Sequence, residues 1–391
     1  MILMNTNRFE TFYDAVLAIV ITILVLKIPQ PLAPTWGAFF SNSVNIITYF
    51  TVFLAIINIW FSNQNIFQHI EEIDNKTLAT YGISIFLTSL FPYFASWLSF
   101  NLYSLTAEAI FGLIILFSNV SHIISLFALY GANRSNEKLR ELNIKKKHFI
   151  FPFIVLIIGF IISFTVYVPG IYIASLISVL LSITYNRAQG REIRDTERFE
   201  ALIDAIIAII ITIIVLEIPT ALNGSLESLL ELKVEFIAYA ISFIVCFNMW
   251  KFTYNLFHIV EKINYRTIWS IASMLFFLSL IPYLTTFVSM NFNDFAPQCI
   301  YGIDFIIIAL CSIVATYEMK RIDESNKFLK EAFQNYNNYI ISIVLTCIFI
   351  IIGYLYWPPI IIISCLLSIL VSWTFMRKKI NLLRYIHKGD V

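Results

Sequence analysis

The chain repeats itself. Residues 8–29 read RFETFYDAVLAIVITILVLKIP, and residues 198–219 read RFEALIDAIIAIIITIIVLEIP. The same offset pairs Asn58 with Asn248, Trp60 with Trp250, Asn65 with Asn255 and Glu71 with Glu261. It also pairs Pro92-Tyr93 with Pro282-Tyr283, Gly112 with Gly302, and Pro169 with Pro359. A match that needs no gap across a whole unit marks a tandem duplication, so one architecture is built twice. The division expected is 1–190 for repeat I and 191–391 for repeat II.

Composition says what solvent each copy is built for. The chain is 59% hydrophobic and only 13% charged, against about 25% charged for a soluble domain. Spanning a bilayer takes about 20 apolar residues in a helix. Each repeat offers six candidates, in the first at 10–28, 43–66, 78–99, 106–131, 149–168 and 171–187. The fold class expected is therefore an all-α integral membrane protein: two tandem six-helix repeats, about twelve transmembrane helices in all. Some candidates are short or hold Ser, Asn and Pro, which leaves an interfacial or re-entrant segment open. The last two of each repeat are joined by a tight turn at Pro169 or Pro358-Pro359 and read as a helical hairpin.

Orientation follows from Lys and Arg. All but three of the 26 fall at the termini, in the loops after the second and fourth helices, or between the repeats. Lys27 and Lys233 fall in loops placed outside, and Lys251 within a span. The blocks Lys145-Lys146-Lys147 and Arg377-Lys378-Lys379 are the clearest. Both termini are expected in the cytoplasm. Six spans per repeat then give the two repeats the same orientation, related by an axis along the membrane normal. The first apolar run recurs as the start of repeat II, so it reads as structure and not as a cleaved leader.

Several function classes are disfavoured. The five cysteines (Cys246, Cys299, Cys311, Cys347 and Cys365) form no C-x-x-C pair, and the five histidines lack ligand spacing, so no metal or cofactor is expected. No P-loop, H-E-x-x-H or G-x-S-x-G is present, so the chain is read as not an enzyme. Basic residues are not gathered on an aromatic-rich soluble segment, so no nucleic acid is expected as a partner.

The first helix of each repeat carries the chemistry. It opens with Arg8 and Asp14, or Arg198 and Asp204, and runs into an aliphatic stretch with one hydroxyl. At 100° per residue, Ile19, Thr22 and Leu26 fall within about 60° of one another, as do Ile209, Thr212 and Leu216. Asp14 lies about 140° from Ile19 by the same count. The Asp is therefore expected to face other helices, while the Ile/Thr stripe is left for a pore. An equal rival reading has each threonine bonded back to the carbonyl four residues earlier, at Ala18 or Ala208. Asn65 lies near the depth of Asp14 on the second helix, as a candidate partner, with Asn255 its counterpart.

These residues resemble the transmembrane protein 175 family of potassium-conducting channels, lysosomal in animals and also found in prokaryotes. Its signature is R-x-x-x-F-S-D at the start of the first helix, with a threonine eight residues after the Asp. Here the copies read Arg8…Phe12-Tyr13-Asp14 and Arg198…Leu202-Ile203-Asp204. The family's second helix carries a Trp, matched by Trp60 and Trp250. Its following His is Asn63 or Thr253 here, and the Leu-Phe beyond is Ile66-Phe67 or Leu256-Phe257. The resemblance implies a homodimer with four first helices around one axis and no T-V-G-Y-G filter. It implies a constriction at Ile19 and Ile209, with Thr22 and Thr212 as the hydroxyl layer and Leu26 and Leu216 also lining the pore. Arg8, Asp14, Arg198, Asp204, Asn65, Asn255, Trp60 and Trp250 are read as a structural network. The partners implied are potassium ions and the lipid bilayer. Residue usage rich in Ile, Asn, Lys and Tyr points to an AT-rich prokaryotic genome and so to the cell membrane; an animal member would sit in endosomes or lysosomes. Three other readings stay open: a secondary transporter of two parallel halves, a proton-permeable leak channel, and a structural or lipid-handling membrane protein with no pore.

Overall fold

The computed structural model describes residues 6–134, 136, 147–187, 196–258, 260, 263–322, 336–371 and 373, with the side chains at 65, 147–151, 185–187 and 336–338 outside that description. Regular structure among the described residues is helical. Repeat I comprises α1 (Thr6–Ile23), α2 (Trp36–Ser41), α3 (Ser43–Phe67), α4 (Asn75–Ser89), α5 (Phe91–Phe100), α6 (Leu105–Ala132), α7 (Lys147–Thr165) and α8 (Gly170–Arg187). Repeat II comprises α9 (Glu197–Leu216), α10 (Leu226–Glu231), α11 (Lys233–Phe257), α12 (Tyr265–Met290), α13 (Phe295–Ile322) and α14 (Tyr336–Leu355). A final apolar helix, α15, covers Ile360–Val371. The side chains of the two basic blocks at 145–147 and 377–379 lie outside the described residues.

Among the described residues eight helices are long and apolar enough to cross a membrane, the first four candidates of each repeat. The hairpin pair of each repeat is apolar as well, over Pro152–Thr165, Gly170–Thr184, Tyr339–Leu355 and Ile360–Val371. The chain is thus a multi-pass membrane protein of tandem layout.

Local chemistry explains the helix ends. α1 tightens into a 3-10 turn at Leu24–Lys27, and Ile28 is extended (φ −75, ψ 120), the conformation that the following Pro29 demands. Asp74 Oδ1 accepts the Thr77 N–H at 2.7 Å and caps α4. Asn264, its repeat II counterpart, accepts the Thr267 N–H at 2.8 Å and caps α12. Glu108, to which the sequence assigned no role, is buried on α6 and its Oε2 accepts the Tyr172 N–H at 2.8 Å. A carboxylate there meets the positive end of α8.

Contact clustering divides the chain into two compact units that do not follow the repeat boundary. Unit 1 is Met1–Pro29 with Asn42–Ile206, and unit 2 is Gln30–Ser41 with Ile207–Val391. Residues 30–41, which belong to repeat I by sequence, are therefore part of unit 2. There Gln30 Nε2 donates to the Tyr283 carbonyl at 3.2 Å, and Phe39 stacks on Phe287 at 6.2 Å. In unit 1 the opening turns of α9 pack with α1 and α3.

The duplicated glycines mark duplicated close approaches. A Cβ on Gly112 would stand 2.7 Å from Ile171 Cγ2, and one on Gly302 would stand 2.7 Å from Ile361 Cγ2. Ile171 and Ile361 are themselves equivalent, and their branched side chains have little freedom to move aside. Gly112→Ala and Gly302→Ala should each destabilise by about 1–3 kcal/mol, read as lower melting temperatures in detergent; unchanged melting in both would show that the α6–α8 and α13–α15 contacts are looser than drawn. The caps make a second, pH-dependent prediction. The Thr77 hydrogen bonds hold the Asp74 carboxyl below the usual carboxylate range. Its capping is therefore complete above the ordinary value of about 4 and fades as pH falls through the folded value. Asp74→Asn, which copies repeat II, should keep the cap and remove this acid-side loss. Melting curves of wild type and variant that run parallel from pH 7 down to pH 3 would refute it.

Candidate functional site

α1 is two-faced. Phe9, Tyr13, Leu17 and Ile21 are buried along one line, and Asp14, Ala18 and Thr22 along the adjacent one. Phe12, Ile19 and Ile23 lie open, Ile19 at 45% exposure. The edge between closed and open surface therefore falls between Ile19 and Thr22. The Thr22 hydroxyl donates to the Ala18 carbonyl at 2.9 Å and lies 3.1 Å from that of Ile19.

The buried line leads to an ion pair. The Asp14 carboxylate accepts the Trp60 indole N–H at 3.0 Å from α3. It also takes two bonds from the Arg198 guanidinium: Nη2 to Oδ1 at 2.6 Å and Nε to Oδ2 at 3.1 Å. Arg198 Nε stands 3.2 Å from Glu10 Oε2 as well, and the guanidinium sits 4.8 Å from the centroid of Phe67. A two-pronged charge-assisted contact of this kind fixes orientation as well as energy. Trp60 is completed by Phe199, with ring centroids 5.3 Å apart.

Next to the carboxylate is a polar link in an aromatic cage. Asn63 Nδ2 donates to the Tyr13 hydroxyl at 2.8 Å, and the Tyr81 hydroxyl donates to Asn63 Oδ1 at 3.1 Å. Phe9, Tyr13, Phe67 and Tyr81 surround it, with Phe9 and Tyr81 edge-on at 5.3 Å. Sequence reasoning missed Glu10, Tyr81 and Phe199. Tyr13 and Asn63 were in view only as departures from a motif. Asn65, offered as the partner of Asp14, has its side chain outside the described residues; the carboxylate is held by Trp60 and Arg198.

α9 presents the equivalent residues differently. Asp204, Ala208 and Thr212, counterparts of the buried line on α1, are exposed. Ile209 is half-buried, and Leu216 is 73% exposed; Leu26 is half-buried. The Thr212 hydroxyl donates to the Ile209 carbonyl at 2.8 Å. Arg8 and Asn255 are exposed, and Trp250 is half-buried, lying against Phe247 and Tyr254 at 5.5 and 5.6 Å. Further along α3 and α11 the repeats agree. Asn58 Nδ2 donates to Ser182 Oγ at 2.8 Å, and Asn248 Oδ1 accepts from Trp373 Nε1 at 2.7 Å. Lys251 has its ammonium 4.9 Å from the Trp373 ring centroid. Among the described residues no group of three or more His, Cys, Asp or Glu is placed to hold a metal ion.

Known proteins match the same residues. The family model described as endosomal/lysosomal potassium channel TMEM175 matches twice, at residues 8–92 and 198–282. A bacterial relative named as a potassium channel, from Chryseobacterium sp. (strain P1-3), is 32% identical over 138 residues, covering 35% of this chain and 72% of the relative.

Breaking the pair on one side strands a buried charge. Asp14→Ala should cost about 3–5 kcal/mol, because Arg198 keeps its burial and loses its main acceptor. Trp60→Phe removes one donor while keeping a ring on Phe199, so it should cost less, about 1.5–3 kcal/mol. Denaturant unfolding in detergent gives the order; a costlier Trp60→Phe would mean that the carboxylate does not organise the cluster.

Proposed function

The chain belongs to the TMEM175 potassium channel family, and from that premise we propose that it is a potassium-permeable channel assembled as a homodimer, with α1 and α9 of both chains around one pore. Ile19 and Ile209 supply its constriction, Thr22 and Thr212 the neighbouring hydroxyls, and Leu26 and Leu216 line it further along. A ring of aliphatic side chains offers a permeating ion nothing in exchange for its water and gates by dewetting.

The observation that carries this reading is the unequal burial of one line on two equivalent helices. Asp14, Ala18 and Thr22 are buried, while Asp204, Ala208 and Thr212 are open. In unit 1 the head of that line, Asp14, is held by the first turn of α9 through Arg198, with Phe199 beside it on Trp60. Repeat symmetry supplies the same partner for Asp204 on α9 from a second chain, through Arg8, which is exposed at the start of its α1. Two chains joined this way close a ring of four first helices, which a single chain leaves open. The membrane is the cell membrane, on the residue usage of the chain, and both termini are cytoplasmic, on its Lys and Arg distribution.

Replacing Ile19 and Ile209 together by Asn wets the constriction. If the barrier falls by about 1.4 kcal/mol, potassium flux into liposomes rises about tenfold, with poorer discrimination among monovalent cations. Thr212→Ala should weaken selectivity more than Thr22→Ala, since Thr22 is buried inside the chain and Thr212 is exposed. Unchanged flux in the Asn double variant would sink the constriction assignment. Unitary current steps in planar bilayers separate a channel from a carrier.

A further inference from the structure

The two repeats share a fold yet differ sharply at one helix contact. In repeat I, Thr88 on α4 lies 3.3 Å from Ser118 on α6, hydroxyl to hydroxyl. The helices run antiparallel, so Ser84 stands at the level of His122 one turn further on. The register is visible in repeat II, where Ser312 Oγ donates to Met274 Sδ at 3.3 Å between α13 and α12. Met274 and Ser312 are the counterparts of Ser84 and His122. Around them repeat II is sealed with Leu278 and Ile308 at the positions of Thr88 and Ser118.

His122 is 6% exposed, and neither ring nitrogen has a hydrogen-bond partner. A neutral imidazole carries one N–H to give and one lone pair to fill. The nearby hydroxyls spend their protons elsewhere: Thr88 on the Ser84 carbonyl at 2.8 Å and Ser125 on that of Ser121 at 2.9 Å. They therefore present lone pairs to an incoming donor. A second difference sits beside this contact. The helix is interrupted between Ser89 and Phe91 in repeat I, whereas α12 runs unbroken from Tyr265 to Met290. Both copies carry the proline, Pro92 or Pro282. Leu90 keeps right-handed helical angles (φ −80, ψ −14) and its N–H bonds to the Leu87 carbonyl at 3.2 Å, so the interruption is one tightened turn in a continuous span.

We propose that repeat I holds an internal water-binding site between α4 and α6, centred on His122, which repeat II has closed with apolar side chains. Water is the ligand whose chemistry fits: one molecule takes the imidazole N–H and gives its own O–H to a hydroxyl lone pair, another gives an O–H to the ring's second nitrogen, and neither brings a charge. The site does not rest on the pore assignment. X-ray radiolytic footprinting in nanodiscs tests it, because hydroxyl radicals formed from bound water label the side chains that water touches. His122 should be labelled and Met274, which stands at the equivalent contact in repeat II, should not, although methionine is the more reactive side chain. Ser118→Ile, which installs the repeat II residue, should abolish the His122 label. A protected His122 overturns the site; so does labelling of both residues, which would mean general solvent entry, and so does a label that survives Ser118→Ile.

Discussion

The Asp14–Arg198 pair is the contact on which the rest of unit 1 hangs. Asp14 is buried, so its carboxylate must find its partners inside the protein. It does so by drawing α1, α3 and the first turn of α9 to one point, with Trp60 filling the remaining acceptor site. The position of α1 is then fixed from within, and with it the line between its buried and open faces. The exposed aliphatic surface proposed for the pore is what the ion pair leaves over.

Duplication gave each residue a twin, and the twins have been used in three ways. Gly112 and Gly302 do the same job to the same distance, as do the helix caps Asp74 and Asn264. Asp14 and Asp204 share an identity and differ in burial. His122 and Ser312 have diverged in chemistry while keeping their register. Identity at a repeat position is thus no guide to environment, since the environment is set by what the neighbouring helix brings.

Much of this was readable in the sequence because bilayers constrain composition so strongly. The duplication, the helical class and the first-helix motif follow from apolar runs and one offset. The pairing of Arg198 with Asp14 was not readable: the two are 184 residues apart, and the local count offered Asn65. The helical wheel put Ile19 and Thr22 on one stripe, but the buried edge of α1 passes between them, and a spread of about 60° is wide enough to hide such an edge. The interruption at Leu90 was hidden as well, because Pro92 and Pro282 look alike and only their surroundings differ.

The crossing of residues 30–41 into unit 2 has a bearing on how such a chain is made. The segment leaves the ribosome long before the helices it packs against, and Tyr283 and Phe287 arrive some 250 residues later, at the separation of the Gln30–Tyr283 bond. Domains ordinarily settle one after another during synthesis. Here repeat I cannot finish before repeat II is inserted, because unit 1 needs the turns that carry Arg198 and unit 2 needs a strap from the first copy. A gene cut at the repeat boundary would give two products, each missing a piece that the other holds, so the two would have to meet to complete either unit.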